Sequence, residues 1–430
     1  MDSPTAPPTS VFAHRAFALF WGAHVFSALA VQAESITVGW QVYTVARHTR
    51  SVEQSALLVG MVGLAQFLPL FIFTFIAGAM ADRRDRRAIM LTCTGVEMGC
   101  ALALAAFALG PSSSLVPVFI IAALFGASRA FLSPASGAMG PMLVPREALP
   151  RAISWNSLAD QGGSMIGPWI GGALCSVSPA AAYVGAAVLY AIAAVALLSI
   201  RANTRPERRP GSRLEQIREG IAYVWINKIV LGSISLDLFA VLLGGATALL
   251  PVFARDVLNV GPHGFGALRS GPAIGAAAMA FALSRWPLQR RAGHWMFAGV
   301  AVFGLATLVF AVAKSLIVSV IALAVLGAAD MISVYVRHSL VQIATPDHMR
   351  GRVSAVSGLF IGASSELGEF ETGLAARVLG PVGAAILGGI GSLVITAAWA
   401  RMFPALRKAD RLDGGESTGE CDSGVLCASK

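Results

Sequence analysis

The stretch Gly78-Ala79-Met80-Ala81-Asp82-Arg83-Arg84-Asp85-Arg86-Arg87 separates two long apolar runs, Ala56 to Ala77 and Ala88 to Leu109. Its arginines and two aspartates cannot sit in lipid, where a charge at the bilayer centre costs at least ~2.5 kcal/mol even on insertion scales. The stretch must be a short aqueous hairpin between two membrane helices. Its excess of arginine puts it on the cytoplasmic side by the positive-inside rule.

Composition agrees. The 430 residues are 56% hydrophobic and only 13% charged, against about 25% charged for a soluble domain. Each crossing takes ~20 apolar residues, so a dozen crossings with short loops use up the length. No room is left for a soluble catalytic domain. The formal charge of +9 is spread over loops, which argues against a nucleic-acid partner. Cys93, Cys100 and Cys175 lie in apolar segments and Cys421 and Cys427 in a polar tail. Neither a metal-ligand spacing nor a disulfide framework is present. The Gly-rich piece 126–136 lacks a phosphate-loop lysine, and no H-E-x-x-H occurs, so no enzyme reading is supported.

The expected crossings are 16–45, 56–79, 88–109, 116–142, 152–175, 179–200, 228–253, 264–284, 294–313, 316–340, 353–375 and 382–402. The first could pass for a secretory signal ending at Ala33. An uncleaved helix is preferred, because cleavage would leave an odd number of crossings. Most of the 32 lysines and arginines fall on alternate links with the hairpin. Arg47, Arg50, Arg255, Lys314 and Arg377 fall on the other side. This bias places both termini in the cytoplasm. Residues 1–15 form an N-terminal tail, with 1–13 expected to be disordered. Residues 16–200 form one six-helix half and 228–402 the other. The link 201–227 is basic at first, then has apolar residues at helical spacing, as in an amphipathic helix at the membrane surface. Residues 403–430 form a second cytoplasmic tail.

The halves repeat. With Pro145 aligned on Pro346, Leu124-Phe125-Gly126-Ala127 falls on Val325-Leu326-Gly327-Ala328, and Arg129 falls on Asp330. Gly167 and Gly172 fall on Gly368 and Gly373. Such repeats are the usual build of transporters with a midplane site between halves.

The hairpin now carries a family. Gly78, Asp82, Arg83, Arg86 and Arg87 match the pattern G-x-x-x-D-R/K-x-G-R-R/K of the loop between helices 2 and 3 in the major facilitator superfamily. Asp85 stands where that family usually has Gly, which puts the turn geometry in question. In the fifth crossing, Gly163, Gly167, Pro168, Gly171 and Gly172 form G-x-x-x-G-P-x-x-G-G. That resembles the helix 5 signature of the proton-coupled drug exporters of this superfamily. Ordinary tight helix packing explains the same glycines. With Pro134-Ala135 and Leu249-Leu250-Pro251-Val252-Phe253-Ala254-Arg255-Asp256-Val257-Leu258, the whole chain except its tails is similar to the branch of siderophore and macrolide exporters. The resemblance implies an all-α integral membrane protein of twelve transmembrane helices in two pseudo-symmetric six-helix halves. It implies a secondary transporter in the bacterial inner membrane, with no cofactor and a proton gradient as energy source. Its partners would be the lipid bilayer, protons and a small amphipathic substrate, and it would work as a monomer. An inward symporter or uniporter on the same fold is the alternative. A non-transporting sensor is the other, but the tails are too short for a signalling domain.

The resemblance further implies that the first, fourth, seventh and tenth crossings line a central cavity. Each carries an ionisable residue inside an apolar run: Glu34, beside Gln32, then Arg129, Asp237 and Asp330. Such residues are costly in lipid and should face water or one another. Arg129 and Asp330, as repeat mates of opposite sign, are placed to meet. Glu34 would approach Arg129 and carry the coupling proton, with one arginine exchanging between two acids. Asp237 is near enough to a helix start to be only interfacial. Arg337 and His338 are weaker candidates that would snorkel to headgroups. Glu366 and Glu369 share a face of the eleventh crossing and are reserve proton carriers. Glu371, Asp160 and Arg269 read as wet-end residues. Asp82 is expected beside Arg350 and Arg352, as a latch at a helix start.

Overall fold

The computed structural model describes residues 10–407 apart from 82, 111–113, 203, 205–212, 245, 287, 289, 347 and 348. For 75, 79, 146, 150, 213–217, 246, 350, 351, 354, 355, 359, 363 and 366 it describes the backbone alone. The long helices are α1 (Arg15–Ala46), α2 (Val52–Ala81), α3 (Arg86–Leu109), α4 (Val116–Met139), α5 (Leu149–Val177) and α6 (Pro179–Leu198). After the linker helix α7 (Arg213–Ile226) come α8 (Lys228–Leu243), α9 (Gly261–Arg285), α10 (Ala292–Val312), α11 (Leu316–Ala344) and α12 (Arg350–Met402). Among the described residues there is no strand.

Nine of the described helical segments are long and apolar enough to cross a membrane. α5 and α9 are of similar length but are not in that set. Each carries glycines and a proline inside the helix, Pro168 and Pro272. α12 is broken at Gly380, whose φ of 74° suits glycine alone among ordinary residues, and Pro381 follows. The chain turns back there: Gly368 and Gly388 both pack on residues 241–243 at the end of α8. The expected seventh crossing is also interrupted. α8 stops at Gly244, and residues 246–257 continue as short 3-10, α and π turns. Gly244 weakens helix propagation, and Pro251 opens the next turn without a donor.

The cores show how the halves meet. Four apolar clusters each stay within one half or its linker, among them one around Phe17, Phe20, Met90 and Met139 and one around Leu236, Met296 and Val336. One cluster joins both halves: Val42, Tyr43, Val59 and Leu104 with Leu250, Phe253, Phe265 and Phe310. It lies at the end of the bundle away from the described termini, the far end. Lipid supplies no hydrophobic drive between helices, so close backbone approach through small residues must hold them. At the far end two crossings do this. A Cβ on Gly172 of α5 would meet Gly266 Cα of α9 at 3.0 Å, and one on Gly60 of α2 would meet Gly373 Cα of α12 at 3.0 Å. Gly172 and Gly373 are mates in the internal repeat. At the terminal end, by contrast, Gly22, Gly137, Gly162, Gly358 and Gly362 have nothing within 4 Å of a built Cβ.

Residues 11–13 of the N-terminal tail, expected to be disordered, are structured. Val11 is 2% exposed in a 3-10 turn, Val11–Ala13, and Phe12 packs edge-on against Trp21 and Trp155. Val11 joins the cluster around Phe17 and Phe20, and Phe12 packs between α1 and α5. The linker does form its expected helix, which seats Gly220 against the Arg352 carbonyl and pairs Glu219 with Arg352. Tyr223 Oη donates to the Ala344 carbonyl at 2.5 Å.

Candidate functional site

The hairpin is built from helix ends. Asp85 has φ −60° and caps α3, its carboxylate accepting from the Arg87 amide at 3.0 Å. Thr204 Oγ1 donates to the same oxygen at 2.5 Å. The turn therefore needs no glycine at Asp85; an aspartate N-cap satisfies an otherwise orphan donor there. Arg86 donates to the Ala138 carbonyl at 2.9 Å and Arg87 to the Leu197 and Leu198 carbonyls at 2.9 and 2.6 Å. Both arginines thus neutralise the negative ends of neighbouring helices, α4 and α6. Arg83 is exposed and Gly78 buried. Asp82 and the Arg350 side chain lie outside the described residues, so the expected latch falls there too. Arg352, its other expected partner, is taken by Glu219.

The glycines of α5 have a clear division of labour. A Cβ on Gly163, Gly167 or Gly171 would strike α1 at Ala28, Gln32 or Ile36, within 2.6, 2.6 and 2.5 Å. Spaced by four, they form one groove that seats α1. Gly172, a hundred degrees round, faces the other half, and a Cβ on Gly266 would meet the Pro168 carbonyl at 2.7 Å. The motif therefore fixes α1 within its half and closes the far end between halves. Gln32, held in that groove, donates to Ser164 Oγ at 3.1 Å.

Two acids lie buried in the first half. Glu34 is 3% exposed and accepts from Tyr190 Oη of α6 at 3.1 Å. Glu97 of α3 is fully buried, and it was not among the sequence candidates. Ser128 Oγ lies 3.2 Å from both Glu97 Oε1 and the Cys93 carbonyl, so its single proton serves one of them. Glu97 Oε2 has no hydrogen-bond partner among the described residues. Glu34 is within electrostatic reach of Glu97, and Glu97 of Arg129. Glu97 is an acid in an apolar run, the same signal that marked Glu34. It escaped notice because the third crossing is not one of the four that the resemblance places around the cavity.

In the second half, Asp237 of α8 and Arg337 of α11 form a direct ion pair, 4% and 3% exposed. Asp237 is therefore not interfacial, and Arg337 does not snorkel. The buried acid offers the guanidinium a partner within reach, so it has no need of the headgroups. Asp330 sits beside this pair, with Asp237 and Arg337 as its charged neighbours. Arg129, its expected partner, acts electrostatically on Glu97 in the first half.

At the far end Asp256 accepts from Tyr43 Oη, and Arg47 Nη2 lies 3.4 Å from its Oδ1. This charged contact joins α1 to the turn after α8, across the halves. Arg269 and Glu369 are 3.8 Å apart, so Arg269 has a partner within the second half. Glu371 is partly buried, while Asp160 is largely exposed and lies 2.9 Å from His24 Nε2. The Glu366 side chain is outside the described residues.

A family model described as transmembrane secretion effector matches residues 4–419. The enterobactin exporter EntS of Shigella boydii serotype 18 is 27% identical over 347 residues, 80% of this chain and 79% of its own length. That of Escherichia coli O81 is 28% identical over the same shares. Among solved structures, a POT family transporter in complex with a thioalcohol-conjugated peptide has a TM-score of 0.70 at 14% identity, covering 91% of this chain and 96% of its own. A bacterial homologue of the human lysosomal transporter Spinster, inward-facing and unoccupied, has a TM-score of 0.68 at 14% identity, covering 92% and 96%. At such identity these two speak for the fold alone. The relatives and the fold are those of transporters, not enzymes. On the extent of the family match, the chain belongs to the transmembrane secretion effectors of the major facilitator superfamily and is a multi-pass membrane transporter.

Proposed function

We propose that the protein is a proton-coupled exporter of a small amphipathic molecule such as a siderophore or drug. It sits as a monomer in the inner membrane, crosses it twelve times and keeps both termini in the cytoplasm. One observation carries the reading: among the described residues, the apolar core shared by the halves lies at the far end. A bundle whose shared apolar core lies at one end suits one state of an alternating-access cycle. With the termini inside, the end opposite that core faces the cytoplasm, where an outgoing substrate would load. Export rather than uptake is favoured by the relatives named as exporters. The α5 glycine pattern points the same way.

A proton antiporter needs an acid whose surroundings change as the cavity switches sides. Apolar surroundings favour the neutral acid, and a nearby guanidinium favours the carboxylate. Glu34, in the buried network with Glu97 and Arg129, is our first choice, and Glu366 and Glu369 are the reserve. Everted vesicles energised to an acid lumen test both parts, with enterobactin as the first probe. The wild type should accumulate it, and a protonophore should abolish accumulation. Glu34→Gln should lose gradient-driven uptake yet keep downhill exchange, which needs no net proton movement. Accumulation indifferent to the pH gradient would overturn proton coupling. Full gradient-driven transport by Glu34→Gln, with loss in Glu369→Gln, would move the coupling acid to α12.

A further inference from the structure

A small cavity lies between α8, α10 and α11, lined by Asp237, Ala240, Val241, Val300, Phe303, Asp330 and Ser333. It holds about 10 Å³ of space open to a water centre, which is room for roughly one water. Three polar groups enter it. Asp237 is committed to Arg337. Ser333 is 2% exposed, and its Oγ has no hydrogen-bond partner among the described residues. A buried hydroxyl left unmatched is costly and calls for an occupant of the cavity. Asp330 is the third, and the ion pair beside it is already neutral.

The charge balance follows. α8 contributes Asp237 and α11 contributes Arg337 and Asp330, with His338 next to Arg337. α10 lines the cavity with Val300 and Phe303, both apolar. Where α9 meets α11, the contacts run through Pro272 with Gly327 and Gly275 with Ala324, without charge. Two acids and one guanidinium leave the pocket one positive charge short. A metal cation would need some six oxygen ligands, and this cavity offers one uncommitted carboxylate and one hydroxyl. A proton needs neither space nor a ligand shell.

We propose that Asp330, with Ser333 and one water, is a proton-binding site in the second half, separate from the Glu34–Glu97 network. The proton passes from a hydronium ion to the Asp330 carboxylate, leaving a neutral acid and water. Release reverses the step. Asp330 is partly exposed, which gives the proton a route. The proposal deepens the proton-coupled reading by giving each half its own site, and it rests on that reading for its role in transport.

The test reads protonation directly and uses no substrate, so it stands or falls apart from the vesicle assay. Purified full-length protein in lipid nanodiscs is titrated by infrared difference spectroscopy, in choline chloride, in H₂O and D₂O. The wild type should show a titrating carboxyl band that shifts in D₂O. Asp330→Asn should lose that band while Glu34→Gln keeps it. Ser333→Ala, which leaves the carboxyl in place, should displace its frequency. An unchanged spectrum in Asp330→Asn or in Ser333→Ala would overturn the site. Suppression of the band by sodium chloride in place of choline chloride would also overturn it, in favour of a metal-cation site.

Discussion

Gly60→Ala tests whether the far-end crossing is a state-specific contact. The added Cβ would lie 2.8 Å from the Glu369 carbonyl oxygen and 3.0 Å from Gly373 Cα. Both are backbone atoms on α12, which cannot swing away as a side chain would. Ordinary carbon contacts sit at about 3.5–4.0 Å, so α2 and α12 must part by roughly half an ångström to one ångström. Overpacking of this kind typically costs about 1–3 kcal/mol. The cost falls on the far-end-closed state, because α2 and α12 are apart when that end opens. A differential of about 1–3 kcal/mol moves a two-state equilibrium about 5–150-fold. Spin labels at positions 49 and 314, both exposed near the far end, report the distance by electron–electron double resonance. Gly60→Ala should move the population toward the longer distance, and Gly373→Ala should do the same. The double variant should fall short of the sum, since both press on one contact. Gly95→Ala and Gly99→Ala, with nothing within 4 Å, are the controls. An unchanged distance distribution in Gly60→Ala, or an equal shift in Gly95→Ala, would refute the reasoning.

Arg337→Ala should destabilise the protein by about 3–5 kcal/mol, because it strands Asp237 as a buried unpaired charge. A thermal melt in detergent checks this, and Asp237→Leu/Arg337→Leu should recover most of the loss. Asp85→Ala should cost about 1 kcal/mol through loss of the α3 cap, while Asp85→Asn should cost far less by the same melt. Asp256→Asn should weaken the link from Asp256 to Tyr43 and Arg47, raising the reactivity of a Cys at position 42, buried in the far-end core, toward an impermeant thiol reagent; equal reactivity would deny that contact a closing role. Asp82→Asn should slow transport at normal protein levels if the aspartate latches the terminal end, and normal transport would leave it a turn former.

The class of the molecule was legible in sequence because it follows from local rules. An apolar run of spanning length has one stable solution in lipid, and a block of arginines can only be a link. The amphipathic stretch ending in Trp225 and the repeat of Gly167 and Gly172 at Gly368 and Gly373 were readable for the same reason. Partner choice was not. The spacing of Gly163, Gly167 and Gly171 announces a groove but not that α1 fills it, nor that Pro168 and Gly172 turn to the other half. Arg337 could reach headgroups or Asp237 equally well along the chain. Only the crossing of α8 and α11 puts a buried acid beside it, and burial then makes that pair the cheaper arrangement. Glu97 shows the same limit: its apolar setting marks it as costly, but its place beside Glu34, Ser128 and Arg129 depends on how three helices meet. Membrane insertion is decided residue by residue against lipid, so sequence suffices for it. Charge pairing is decided by distances between helices, and those are set only when the bundle packs.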